Sequence, residues 1–479
     1  MRVPQRIPTE RLSGVHAVAH LSGTFAPVAW LVLPVLLEQT LALAVGITDK
    51  WLTGNLLFEA EYLAAIGLVG YMIGYLPGIF AIPSIAATAL VARMIGATDE
   101  AGARRAAAQS LIVGVMVAML AIVPSILFGS HLIRSLGLPE GSTALALEYL
   151  EIVLPALPAV MLIQVGVAIL RGAGDMLAGF ITMSVVNGVN AGASFVLATG
   201  MFGFPNLGWT GLAWGTLAGY YVGAILVILL LMRPSQPISP RTADWWPDWQ
   251  WIRRILIIGV PAGFDAIGNA CCHLWFLSIV NRLGNIDAAA HALAITIESM
   301  AYLPGYAFGV AAATLSGQFL GAHDERRARE SVWMAAVGCV FLMTAVATVF
   351  YLSSDSLAAW FVGSTGHQDV AVLTAKLVRL VAFAQPPLAM LMVFSGALRG
   401  AGQTRVPMMV NFFGLLVVRL PLAMILAWPG VEIAGGVISL PGMNLGVVGA
   451  WLAMAADLTT RGLLMCAMFH WGTWSRVRV

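Results

Sequence analysis

Twelve apolar stretches, each about as long as a helix needs to cross a bilayer, recur between residues 26 and 470. They lie near 26–52, 63–92, 104–128, 143–168, 176–200 and 209–232, then near 255–281, 288–316, 332–353, 370–396, 406–428 and 445–470. In hydrocarbon every backbone N–H and C=O must find a partner inside the protein, which for such segments means an α-helix. Residues are 59% hydrophobic and only 10% charged, and the mean hydropathy is +0.88. That balance excludes an ordinary soluble domain. The expected fold class is an all-α polytopic membrane protein with twelve transmembrane helices in two six-helix bundles.

The bundles follow from an internal repeat. LRGAG stands at 170–174 and again at 398–402, and YLPG at 75–78 and again at 302–305. GATDEAGARRA from Gly96 pairs with GAHDERRARES from Gly321, and NLGWTGLAW from Asn206 with NLGVVGAW from Asn444. Each segment holds the same place in its six-span half, and six is even. The two halves therefore share one membrane orientation, a parallel repeat about an axis along the membrane normal.

Lys and Arg set the orientation. With the N-terminus, the even-to-odd loops and the C-terminus on one side, eighteen arginines collect there, against Lys50, Arg134 and Arg282 on the other. Both termini are expected in the cytoplasm. The expected organisation is a cytoplasmic N-terminal tail over 1–25, an N-lobe over 26–232, a linker over 233–254, a C-lobe over 255–470 and a cytoplasmic tail over 471–479. The linker RPSQPISPRTADWWPDWQWIRR is rich in Pro, Trp and charge, and its tryptophans suit the membrane surface. Residues 1–23 are polar and lack the apolar core of a cleaved signal.

Enzyme chemistry finds no motif. There is no metal-ligand spacing, no GxSxG elbow and no nucleotide-binding glycine loop. Cys271, Cys272, Cys339 and Cys466 sit in apolar segments and read as small hydrophobes. What stands out instead is acid at membrane depth: Glu38, Asp49, Asp265 and Glu298. Such residues usually face a protein interior or a wet cavity and mark an ion or proton path. Glu38 and Asp49 lie eleven residues apart, so at ~100° per residue they share nearly one helix face. Glu38 also has a repeat partner, Asp265, each four residues after a proline. A pair of acids lining a central cleft would suit an organic cation; the plainer reading is a polar knot between helices. Arg171 and Arg399, each closing its LRGAG, read as structural anchors of helix ends. Pro34, Pro77, Pro261 and Pro304 are hinge candidates, because each removes a backbone hydrogen bond inside a span.

LRGAGD and LRGAGQT closing the fourth and tenth spans, the GAxDExxxAR loops, ITDKWLTG ending the first span, PAG opening the seventh and the Arg419-Leu420-Pro421 step resemble the multidrug and toxic compound extrusion (MATE) family. The similarity runs from about residue 26 to 470. It implies a polyspecific exporter that exchanges H⁺ or Na⁺ for organic, often cationic compounds by alternating access between two lobes. The resemblance makes Asp49 the cation-coupling acid, with Asn190, its neighbour Asn187, Ser194 and Thr216 as partners. An acid stands in the family where Ser194 does here, and Lys50 beside Asp49 is a further departure. The acids of Na⁺-coupled members in the seventh and tenth spans align with Asn269 and Leu388. The chain thus looks closer to the DinF-like members, with an N-lobe cation site, than to the NorM-like ones. Substrate-cleft candidates are Glu38, Asp265, Asn269, His273, Glu298 and Gln385.

The expected function is a secondary active antiporter of the plasma (inner) membrane exporting organic, cationic compounds, and the expected state is a monomer. No nucleic acid, organic cofactor or bound metal is expected; H⁺ or Na⁺ is the coupling ion. The alternative is a flippase or exporter of a lipid-linked or polar metabolite precursor from the same superfamily, which would need basic residues in its cleft. Arg419 and Arg461 are the chief intramembrane candidates for those.

Overall fold

The computed structural model describes residues 23–57, 60–135, 139–234, 236–362, 368–433 and 438–477. The expected tail up to residue 22 and the side chain of Pro77 lie outside the described residues. The first half of the chain forms α1 (Phe25–Leu56), α2 (Ala60–Ile79), α3 (Ala81–Gly96), α4 (Glu100–Ser135), α5 (Glu140–Val153), α6 (Leu157–Gly172), α7 (Leu177–Thr199) and α8 (Trp209–Leu231). The second forms α9 (Trp249–Asn281), α10 (Asn285–Gly321), α11 (Glu325–Val362), α12 (Gln368–Ala382), α13 (Gln385–Gly400), α14 (Arg405–Phe412), α15 (Leu420–Ala427) and α16 (Gly446–Trp471). Between α15 and α16, Gly430–Ile433 pairs antiparallel with Ile438–Pro441 as a short hairpin.

Among the described residues nine helical segments are long and apolar enough to span a membrane, or ten with α12 and α13 as one bent span. The other two expected spans are occupied by α2 with α3 and by α10. Both halves break their fourth span at proline. Leu154-Pro155-Ala156 forms a turn of 3₁₀-helix before α6, and α12 meets α13 at 53° where Gln385-Pro386-Pro387 begins. A proline has no N–H to give to the preceding turn, so the helix resets there. By contrast, Pro34, Pro261 and Pro304 each sit inside an unbroken helix.

LRGAG is a helix stop. In the first half Asp175 N–H donates to Leu170 C=O, and in the second Gln403 N–H donates to Leu398 C=O, both at 2.9 Å. This is the six-to-one bond of a Schellman cap, and it needs a left-handed residue just past the helix. Gly174 (φ 97°) and Gly402 (φ 86°) supply it.

The chain forms two compact units. Unit 1 contains residues 37–257 and 317–324, and unit 2 contains residues 28–36, 258–316 and 325–479. Within unit 1, α3 packs on α4 and α6, and α7 packs on α8. Along α8, Gly211, Gly215 and Gly219 offer bare backbone to α7. A Cβ on Gly211 would lie 2.7 Å from Ala198 N, and one on Gly219 would lie 2.9 Å from Val186 O. Small residues at every fourth position let two membrane helices touch backbone to backbone. The end of α10 belongs to this unit too, and Gln318 Nε2 donates to Gly172 C=O at 3.0 Å. There a Cβ on Gly96 would collide with the Gln318 backbone, and one on Gly321 with that of Arg93.

The linker is tied to α4 by Gln109 and by ion pairs of Arg104 and Arg105 with Asp244 at 3.8 and 3.9 Å. Gln109 donates to the carbonyls of Asp244 and Trp246 at 2.9 and 2.8 Å and accepts from Asp248 N–H at 3.0 Å. Trp246 and Trp249 remain exposed beside it. In unit 2, α11 packs on α12 and α13, and α16 packs on α13 and α15. Residues Phe413–Arg419, between α14 and α15, wind as a π-helix.

Candidate ion site and a buried charge network

Close contact of α7 and α8 brings Asn190 and Thr216 together, with Asn190 Nδ2 donating to Thr216 Oγ1 at 2.9 Å. The Asp49 carboxyl, near the end of α1, lies within reach of both side chains. Tyr149 of α5 completes the group, its hydroxyl 2.8 Å from Thr216 Oγ1, and Tyr220 lies within electrostatic reach of Asp49. Asp49, Asn190, Thr216 and Tyr149 are all buried, and among them there is no basic side chain. Asp49 Oδ1 and Asn190 Oδ1 are buried without a hydrogen-bond partner. Two acceptor oxygens lacking a donor are what a proton or a hard, oxygen-seeking cation would satisfy.

Other residues expected around Asp49 lie elsewhere. Asn187 is half-buried and donates to Leu41 C=O and Met183 C=O at 3.0 and 2.8 Å, which ties α7 to α1. Ser194 donates to Leu212 C=O at 3.2 Å and serves the contact with α8. Lys50 is exposed, on a different side of α1 from the buried Asp49.

Glu38 and Asp265 each receive an arginine from the LRGAG of their own half. Arg171 Nη2 donates to Glu38 Oε1, and Arg399 Nη2 donates to Asp265 Oδ2 at 2.5 Å. Glu38 lies over Gly179 of α7, where a Cβ would strike its carboxylate. Asp265 is held further by Asn411 Nδ2 at 2.9 and 3.1 Å. The arginines therefore do more than anchor helix ends. They neutralise the repeat-related acids, and each pair cross-links the first helix of a half to its fourth span.

In unit 2 the Asp265 pair continues into a chain of buried charges. Arg461 donates to Asn411 Oδ1 at 3.2 Å and grips Asp457 with Nε at 2.8 Å and Nη2 at 2.6 Å. Arg419 adds Nε to Asp457 Oδ2 at 2.8 Å. The π-turn delivers Arg419 there, and its Gly414 makes the room, since a Cβ at that position would collide with Asp457 and Arg461. The Arg419 guanidinium lies 5.6 Å from the Phe276 ring centroid. Glu298, buried on α10, is within its electrostatic reach. His273 is exposed with Arg419 and Arg461 both in reach, Asn269 is half-buried on α9, and Gln385 is fully buried with both side-chain polar atoms unpartnered.

A sequence profile described as MatE matches residues 34–196 and again 261–425, more than half of the chain, and its two matches begin at the repeat partners Pro34 and Pro261. The chain belongs to the MatE family. A Thermotoga maritima protein named as a probable multidrug resistance protein NorM is 26% identical over 450 residues, 93% of this chain and 92% of that one. A Bradyrhizobium diazoefficiens protein of the same name is 28% identical over 447 residues, 91% of each. Among solved structures, a MOP-superfamily transporter from Pyrococcus furiosus, described with a binding pocket of reverse polarity, superposes with a TM-score of 0.84. It is 20% identical and covers 96% of this chain and 97% of its own. The fold is thus that of a multi-pass, twelve-helix MatE transporter, and not of an enzyme.

Several residues of this MatE site escape sequence reading. Tyr149 and Tyr220 carry no local signal, since each is one aromatic residue in an apolar span. Asp457 has one: it precedes Arg461 by four residues, the spacing of an ion pair on a single helix face. Among the described residues no cluster of three or more His, Cys, Asp or Glu could hold a metal ion.

Proposed function

We propose that this MatE protein is a secondary active antiporter of the inner membrane, exporting polyspecific organic cations in exchange for H⁺ or Na⁺ at Asp49. The observation that carries the proposal is the pair of unpartnered buried oxygens, Asp49 Oδ1 and Asn190 Oδ1, in a cluster with no positive side chain. A carboxylate there lacks the counter-charge that Glu38, Asp265 and Asp457 possess. Burying an uncompensated charge is costly, so the site favours taking up a cation.

Thr216 supplies a way to report that event. Its hydroxyl has one proton, for which Leu212 C=O (3.2 Å) and the Asp49 carboxyl compete. With Asp49 ionised, the hydroxyl turns to the carboxylate; with Asp49 protonated or Na⁺ bound, it turns back to its own helix. That exchange alters the contact among α1, α7 and α8 and gives alternating access a local trigger. The relatives' multidrug names support the substrate class. The placement with DinF-like members rests on Asp49 together with Asn269 and Leu388, and the cytoplasmic termini rest on the arginine bias.

Uptake of a fluorescent organic cation into everted vesicles tests the reading, with pH and Na⁺ gradients imposed separately. Accumulation driven by one of the two gradients is expected. Accumulation driven by neither, but requiring ATP, would overturn antiport.

A further inference from the structure

Arg419 and Arg461 of unit 2 share one carboxylate, Asp457. Arg461 spends Nε and Nη2 on Asp457 and Nη1 on Asn411, so its polar atoms are taken. Arg419 spends Nε on Asp457, while its Nη1 is buried with no partner, in a residue 1% exposed. A guanidinium offers five N–H donors and cannot shed its charge, so an unmet donor at this depth is a standing cost. The ion pairs agree. Arg399 is matched by Asp265; among the described residues Arg419 and Arg461 bond one carboxylate, Asp457, and Glu298 lies within electrostatic reach of Arg419 without bonding its unmet donor.

The surroundings are built to keep the unmet donor in place. The π-turn at Phe413–Arg419 sets Arg419, and Gly414 clears the space beside Asp457. Such turns inside α-helices concentrate at functional sites. Phe276 offers its ring face to the guanidinium without neutralising it. Exposed surface comes close as well: His273 and Tyr302 are both exposed, and both lie within electrostatic reach of Arg419 and Arg461.

We infer that Arg419, positioned by Asp457 and Arg461, binds an anionic group of the cargo, a carboxylate, so that zwitterionic organic compounds are a preferred substrate class. The inference rests on the exporter reading and narrows it. A cationic compound that also bears a carboxylate would place the latter on the unmet guanidinium donor. Charge-assisted pairing with a carboxylate is what the planar arginine fork is suited to.

The test uses two dyes with the same rhodamine cation, one carrying a free carboxylate and the other its methyl ester. Equilibrium binding to the full-length protein in lipid nanodiscs is followed by fluorescence polarisation. In the wild type the free acid is expected to bind at least about tenfold more tightly than the ester. Arg419→Gln should bring that ratio to about one. Equal binding, or tighter binding of the ester, by the wild type overturns the inference and leaves the exporter reading intact. Binding of neither dye overturns it too, and the exporter reading is then judged by the vesicle measurement alone. Should Arg419→Gln not fold, the double variant Arg419→Gln/Asp457→Asn removes both charges of the pair and is read the same way. A tenfold ratio that survives either substitution rules out Arg419.

Discussion

The Asp49 group of unit 1 and the Arg419–Asp457–Arg461 network of unit 2 stand in repeat-related halves, yet their electrostatics are inverted. In unit 1 a carboxylate sits among an amide and hydroxyls with no counter-charge. At the position in unit 2 that the repeat offset assigns to Asp49 stands Phe276, whose ring faces a guanidinium. The difference shows how a duplicated scaffold can divide labour. An acid without a basic partner is free to exchange a cation, whereas an acid gripped by two arginines is engaged by them and holds them in place. Conserving the frame (the proline-broken fourth span, the LRGAG cap, the arginine–acid cross-link) allows the contents of each half to diverge.

That contrast can be broken first at its two acids. Asp457→Ala strands two buried guanidinium groups and should cost about 3–5 kcal/mol, seen as a lowered Tm in detergent. Asp49→Asn keeps shape and hydrogen bonding without stranding a charge, and should cost less than about 1 kcal/mol. Comparable losses of Tm in the two would remove the distinction between them.

The cross-links offer a finer comparison. Glu38→Gln leaves Arg171, 11% exposed at its side chain, while Asp265→Asn leaves Arg399 at 31%. Water can reach the second guanidinium better, so Glu38→Gln should destabilise more, by about 2 kcal/mol against about 1. The charge-swapped pair Glu38→Arg/Arg171→Glu should recover part of the loss. Thermal unfolding of the set in one lipid or detergent decides the order. The smallest effect is expected at Tyr149. Tyr149→Phe removes a single hydrogen bond to Thr216, about 1 kcal/mol, and should slow gradient-driven dye uptake severalfold without changing the fold. An unaltered uptake rate would take Tyr149 out of the site.

Much of the frame is legible in the residues. Hydropathy marks the spans, nine or ten of which stand as long apolar helices among the described residues, and LRGAG proves to be a structural device, a Schellman cap whose second glycine takes the left-handed conformation. Gln385-Pro386-Pro387 does mark a helix break. Side-chain pairing is less legible, because it depends on which faces of distant helices meet. The arginines at 171 and 399 read as end anchors, and only packing reveals their acids, more than 130 residues away. Asn187 and Ser194 share a helix with Asn190, yet helix rotation turns the first to α1 and the second into the contact with α8. A π-turn adds a residue to the helical register, so the 3.6-residue period could not foretell where Arg419 would point.

The central claim is that ion exchange takes place at Asp49. Its most direct test is extrusion of a fluorescent organic cation from proteoliposomes holding wild-type or Asp49→Asn protein, under an imposed pH gradient and, separately, a Na⁺ gradient. Coupled extrusion by the wild type should fall at least about 100-fold in the variant, a barrier increase of about 2.7 kcal/mol, with its fold intact by thermal unfolding. Extrusion by Asp49→Asn at the wild-type rate under either gradient would contradict the account.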